Sequence, residues 1–85
     1  MSFYVYILYS KKIDKYYVGQ SDNVEQRLQS HLAGISGYTS VAEDWEIVHT
    51  ETFETRIEAI KRENQIKKKK SRKYIEGLIQ NKTGN

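Results

Sequence analysis

The stretch Phe3-Tyr4-Val5-Tyr6-Ile7-Leu8-Tyr9-Ser10-Lys11-Lys12-Ile13-Asp14-Lys15-Tyr16-Tyr17-Val18-Gly19-Gln20 decides the fold. Phe3 to Tyr9 is β-branched and aromatic, and Tyr16 to Gln20 repeats that character, which predicts two strands. The polar residues 11–15 between them form a hairpin connection. By the period of two, Tyr4, Tyr6 and Leu8 share one face of the first strand, and Tyr17 and Gly19 share one face of the second. With Tyr6 opposite Tyr17, both hydroxyls project on the same side. Tyrosines in strands are commonly amphipathic filler, and with seven of them in 85 residues the pair carries little weight alone.

Downstream, Asp22 followed by Glu25 resembles a capping box, opening a helix that runs to about Ala33 and stops at Gly34. Its core stripe is Val24, Leu28 and Leu32. Residues 34–44 lack a period and read as a loop, the segment expected to be most mobile. Trp45 to Phe53 alternates as a third strand, with Trp45, Ile47 and His49 on one face. Thr55 and Glu58 form a second capping-box pattern, opening a helix through about Lys68, and Ser71 begins a last helix ending near Ile79. The order is β-β-α-β-α-α. The expected class is α+β, a three-stranded antiparallel sheet with helices packed on it.

A chain of 85 residues predicts one compact domain, residues 1–85, of modest stability. It contains no cysteine, which removes disulfides, thiolate catalysis and cysteine-held metals. The longest apolar run, Phe3 to Tyr9, is far shorter than a membrane span, and no signal-peptide pattern opens the sequence, so the expected address is cytoplasmic with no membrane partner. Net charge is only +3, yet eight of the fourteen basic residues lie between Lys61 and Lys73, with Glu63 the one acid among them. That concentration suits a polyanion, because each neutralised phosphate releases counterions. A solvated helix face is the plainer reading of such a run.

Three further residues border the predicted core. Arg27 and His31 sit four apart on one flank of the Val24, Leu28, Leu32 stripe. There an arginine can anchor its stem on apolar surface and turn its fork to a phosphate, or simply snorkel beside a half-buried histidine. On the second helix Ile57, Ala59, Ile60 and Ile66 define an apolar arc, and Glu63 projects into it. A carboxylate so placed needs a cation, hydrogen-bond donors or a metal. A salt bridge is the ordinary answer; a hydrated Mg²⁺ sharing a substrate phosphate is the other.

At this point the residues resemble a family. Tyr4-Val5-Tyr6 and Tyr17-Val18-Gly19 look like the paired motifs of the GIY-YIG nuclease superfamily, followed in order by an arginine, a histidine and a helical glutamate. The resemblance covers residues 3 to about 79 and looks closest to the small stand-alone bacterial branch, with a more distant likeness to the N-terminal nuclease domain of the bacterial repair excinuclease. It implies that Tyr6 activates the attacking water and that Tyr17 is a second active-site tyrosine. By the same resemblance Arg27 holds the scissile phosphate, His31 supports proton transfer, Glu63 binds one divalent ion (Mg²⁺ or Mn²⁺), and Gly19 lets the substrate backbone approach closely. Two departures stand out. Tyr4 replaces the glycine of the name motif and valine replaces its isoleucine in both halves, while Asn81 is the one residue available for the polar position that completes the site in several relatives.

The expected function is therefore metal-dependent hydrolysis of phosphodiester bonds, in DNA ahead of RNA, of the repair or structure-specific endonuclease type. Lys67, Lys68, Lys69, Lys70, Arg72 and Lys73 would bind the nucleic acid. Tyr6, with an ordinary pKa of about 10, serves as a base only where positive charge or His31 favours its phenolate. The alternative is a nucleic-acid-binding module that cuts little or nothing. A protein-interaction domain ranks last, since it leaves Arg27, His31 and Glu63 unexplained. A protein partner supplying target specificity is compatible with the first two readings, and oligomeric state is open.

Overall fold

A computed structural model describes residues 2–33 and 41–83, the side chains of 81–83 excepted. Its elements are β1 (Phe3–Ser10), β2 (Lys15–Ser21), α1 (Val24–Leu32), β3 (Glu46–Phe53), α2 (Arg56–Lys69) and α3 (Arg72–Thr83). The strands form one antiparallel sheet in the order β2-β1-β3. The fold is the expected α+β arrangement, with α3 running a turn further than Ile79. The segment expected to be mobile lies largely outside the described residues.

Alternation along β1 builds a core on each face of the sheet. Val5 and Ile7 pack with Val18, Ala59 and Ile66, joined by Tyr74, Ile75 and Leu78, so α2 and α3 cover that side. Tyr6 and Leu8 pack with Trp45 and Ala42, joined by Val24, Leu28 and Leu32 of α1 on the other. The hairpin turn is tied down by Asp14, in the left-handed region at φ 54°, which accepts from the Tyr9 hydroxyl at 2.6 Å and from Arg72 at the start of α3.

Four sequence expectations are corrected. Tyr6 pairs with Gly19, and Tyr17 with Leu8, so the two tyrosines share a face one step apart rather than directly opposite. Asn23, not Asp22, caps α1, its side chain accepting from the Gln26 N–H at 3.0 Å. The pairing of β1 with β3 jumps from Ile7–His49 to Leu8–Ile47. Val48 is therefore an extra residue, a bulge that turns His49 to the opposite face from Trp45 and Ile47. Finally, Ile57 and Ile60 are exposed, at 67% and 38%. The packed stripe of α2 is instead Ala59, Arg62, Glu63 and Ile66, the i, i+3, i+4, i+7 spacing of one helical face.

Arg62 sits in that stripe because Glu51 of β3 receives it. Its Nε and Nη2 donate to the two Glu51 oxygens at 2.7 and 3.0 Å, and its Nη1 donates to the Tyr74 hydroxyl at 3.0 Å. His49 Nε2 adds a contact to Glu51 at 2.9 Å, while its buried Nδ1 has no hydrogen-bond partner among the described residues. One arginine thus clasps β3, α2 and α3. Burial pulls the Glu51 pKa up, but the Arg62 and His49 hydrogen bonds outweigh it and hold the group below its ordinary 4.5. A depressed carboxylate contributes its full stability above the unfolded value and loses it as pH falls through the folded one. Arg62→Met is expected to destabilise the protein by roughly 1–3 kcal/mol at pH 7, and to flatten the loss of stability below about pH 4.5. Urea unfolding across pH measures both.

Candidate active site

On the α1 side of the sheet, residues from three elements converge. Tyr6 lies in the central strand and is 1% exposed, and His31, on the inner flank of α1, is fully buried. The Tyr6 hydroxyl lies 3.0 Å from His31 Nε2. Tyr17, one step along the neighbouring strand, stacks at an angle on both, with ring centroids 4.9 Å from His31 and 6.4 Å from Tyr6. Arg27, one turn before His31 on the same flank, is half-buried and close enough to Tyr6 and Tyr17 that both hold it more firmly in the charged form, Tyr6 the more strongly. The spacing of four between Arg27 and His31 is what aims both at β1 and β2.

A guanidinium can only donate, so Arg27 presents a donor to the Tyr6 oxygen, while the direction of the Tyr6–His31 hydrogen bond follows the tautomer of the imidazole. Burial is the main force on both titrating partners. It raises the Tyr6 pKa above 10, more than the Arg27 hydrogen bond lowers it, and it lowers the His31 pKa below 6.5, assisted by the Arg27 charge. At neutral pH the resting site holds a neutral phenol at hydrogen-bond distance from a neutral imidazole.

Gly19 makes room for that phenol. A Cβ on Gly19 would stand 2.6 Å from the Tyr6 hydroxyl oxygen and 2.7 Å from Cζ. The space that a glycine could offer a substrate backbone is filled here by the Tyr6 ring end.

Glu63 stands on the α2 face that also carries Ala59 and Ile66. Its charge adds to the raised pKa of Tyr6, which places the carboxylate within electrostatic range of the hydroxyl. Its side chain is 16% exposed and accepts from Lys67 Nζ at 2.6 Å. Among the described residues no three of His, Asp and Glu gather as a ligand set. Mg²⁺ commonly keeps several waters and takes one or two carboxylates plus substrate phosphate, so a partly sheltered lone carboxylate fits such an ion.

The basic run divides at the elbow between α2 and α3, where Lys70 adopts a left-handed backbone at φ 48°. Lys67, Lys70 and Arg72 line an open groove of about 430 Å³ along the β2 edge, opposite Lys15, Tyr16 and Tyr17. Lys68 and Lys69 border a separate hollow with Gln65, and Lys73 is exposed. Arg72 is held by Asp14 and Glu76. Sequence reading grouped all six together and did not single out Lys15, whose place in the groove depends on β2 being an edge strand. Asn81 lies in α3, with its side chain outside the described residues.

A model of the GIY-YIG catalytic domain matches residues 2–75. The chain belongs to the GIY-YIG family. Its similarity extends over nearly full length to small proteins of the same kind. It is 40% identical to a UPF0213 protein of Natronomonas pharaonis over 95% of this chain and 94% of that one. It is 38% identical to a UPF0213 protein of Syntrophus aciditrophicus, over 92% and 91%. Among solved structures, the solution NMR structure of a UPF0213 protein from Bacillus halodurans superposes with a TM-score of 0.57 at 32% identity, covering 94% of this chain and 84% of that one. The GIY-YIG family is a nuclease family, and in this member Tyr6 and Tyr17 meet at one site.

Proposed function

We propose that this GIY-YIG protein hydrolyses phosphodiester bonds with the help of a divalent cation, Mg²⁺ or Mn²⁺, acting on DNA ahead of RNA in the cytoplasm, in repair or on structured substrates. The observation that carries the reading is the convergence of Tyr6, Tyr17, Arg27 and His31, from strands and a helix, around one buried phenol–imidazole hydrogen bond.

Arg27 and Tyr17, both half-buried, form the outer rim and meet the phosphate first. The Arg27 fork neutralises a non-bridging oxygen as charge builds in the transition state. Tyr6 passes its proton to His31 Nε2 while its oxygen takes a proton from the attacking water, so no free phenolate has to exist beforehand. Glu63 is the residue that would hold the cation, which when bound supplies Lewis-acid stabilisation of charge on the phosphate and the leaving oxygen. Lys15, Lys67 and Lys70 carry the strand past the site through phosphate contacts, which position without reading bases.

The test is to incubate purified protein with labelled duplex, branched and single-stranded DNA and matching RNA, with Mg²⁺, Mn²⁺ or chelator, beside Glu63→Ala. Metal-dependent products lost in the variant are the expected result and identify the substrate class. A second reading, a nucleic-acid-binding module that does not cut, is favoured by the Lys67 ammonium already seated on Glu63. Salt-sensitive binding that persists in Glu63→Ala with no products would establish it instead.

A further inference from the structure

Lys67 is the member of the basic run that pairs with Glu63. Its ammonium donates to Glu63 Oε2 at 2.6 Å and lies 5.9 Å from the centre of the Tyr17 ring. Its neighbours Lys68 and Lys69 line a separate hollow with Gln65. The exposures of the pair are unequal, 16% for the Glu63 side chain and 48% for that of Lys67. The carboxylate is therefore the fixed, sheltered partner, and the lysine is the partner free to leave.

We propose that Lys67 is a placeholder for the divalent cation on Glu63, released to the substrate phosphate when nucleic acid arrives, so that metal and phosphate bind cooperatively. This rests on the phosphodiesterase reading and on Glu63 as its metal carboxylate. A sheltered carboxylate without a counter-charge is costly, and in the free protein the ammonium supplies that charge. A cation arriving at the same oxygen would meet a like charge at contact distance, so one must go. The lysine stem is flexible and its head is a point charge suited to phosphate. The phosphate that Arg27 and Tyr17 would face is the nearest new anion. Once Lys67 swings to it, Glu63 is uncovered. By linkage the metal must then tighten phosphate binding by the same factor that phosphate tightens metal binding.

The experiment measures Mn²⁺ affinity by electron paramagnetic resonance for the wild type, Lys67→Met, Lys68→Met and Glu63→Ala. Sulfate serves as an uncleavable tetrahedral dianion at constant ionic strength. Lys67→Met keeps the length of the side chain and loses the charge, while Lys68→Met loses the same charge at the separate hollow. Lys67→Met is expected to bind Mn²⁺ roughly fivefold or more tightly than wild type and Lys68→Met. Sulfate is expected to tighten Mn²⁺ on the wild type and not on Lys67→Met. Equal affinities in Lys67→Met and Lys68→Met, with binding lost in Glu63→Ala, overturn the placeholder and leave the metal carboxylate standing. Mn²⁺ binding unchanged in Glu63→Ala overturns the carboxylate assignment and the placeholder together.

Discussion

Tyr6→Phe is expected to lower cleavage by about 10²–10⁴-fold, the range in which a positioned proton-transfer group contributes, while circular dichroism stays that of the wild type. The phenyl ring preserves the packing against Leu8 and Trp45 and removes only the hydroxyl shared by Arg27 and His31. The pH profile separates this from a general loss of order. Cleavage requires neutral His31, whose pKa burial and the Arg27 charge place below 6.5. Activity is therefore level above that value and falls as pH drops through the lowered one. The same shift withdraws stability between 6.5 and the lowered value, where the unfolded chain already holds the proton and the folded one does not. Unfolding measured alongside the rates tells the two apart. His31→Gln is expected to lose the acid limb of the rate profile, and undiminished cleavage in Tyr6→Phe would sink the proton relay altogether.

Gly19→Ala is expected to be as damaging through a single methyl group. A Cβ at 2.6 Å from the Tyr6 oxygen and 2.7 Å from Cζ cannot be accommodated in place, and the ring has nowhere to retreat, with fully buried His31 hydrogen-bonded to its hydroxyl. The cost in stability should be roughly 1–3 kcal/mol, the range for overpacking a filled core, and cleavage should fall with the loss of the Tyr6–His31 contact. Adding Tyr6→Leu to Gly19→Ala shortens the ring out of the way, so the two changes should be less than additive in urea unfolding, as expected for residues in direct contact. Wild-type stability and cleavage in Gly19→Ala would mean that Tyr6 is seated elsewhere.

These predictions depend on features of unequal visibility in the sequence. Strand and helix identities were readable because the signals are local: Tyr4-Val5-Tyr6-Ile7-Leu8 is a β-branched and aromatic run, and Val24, Leu28 and Leu32 recur at helical spacing. Thr55 with Glu58 also announces its own cap. Arg27 and His31 were assignable to one flank of α1 for the same reason. The family motifs were legible as an ordered set of residue types.

What sequence by itself determined about this protein is the element order, the α+β class, the family and the set of residues that could form a site. Only the tertiary structure decided how they meet. Register comes from pairing between strands, so the offset that puts Tyr6 against Gly19 rather than Tyr17 is invisible along either strand alone. The Val48 bulge, which turns His49 away from Trp45, is likewise a property of two strands. The buried face of α2 was set by Glu51 waiting on β3 for Arg62, an ion pair between two elements that outweighed the apolar appearance of Ile57 and Ile60. Burial, finally, is a property of the folded whole. It is the main force that raises the Tyr6 pKa and lowers that of His31, which sets a neutral phenol against a neutral imidazole at hydrogen-bond distance.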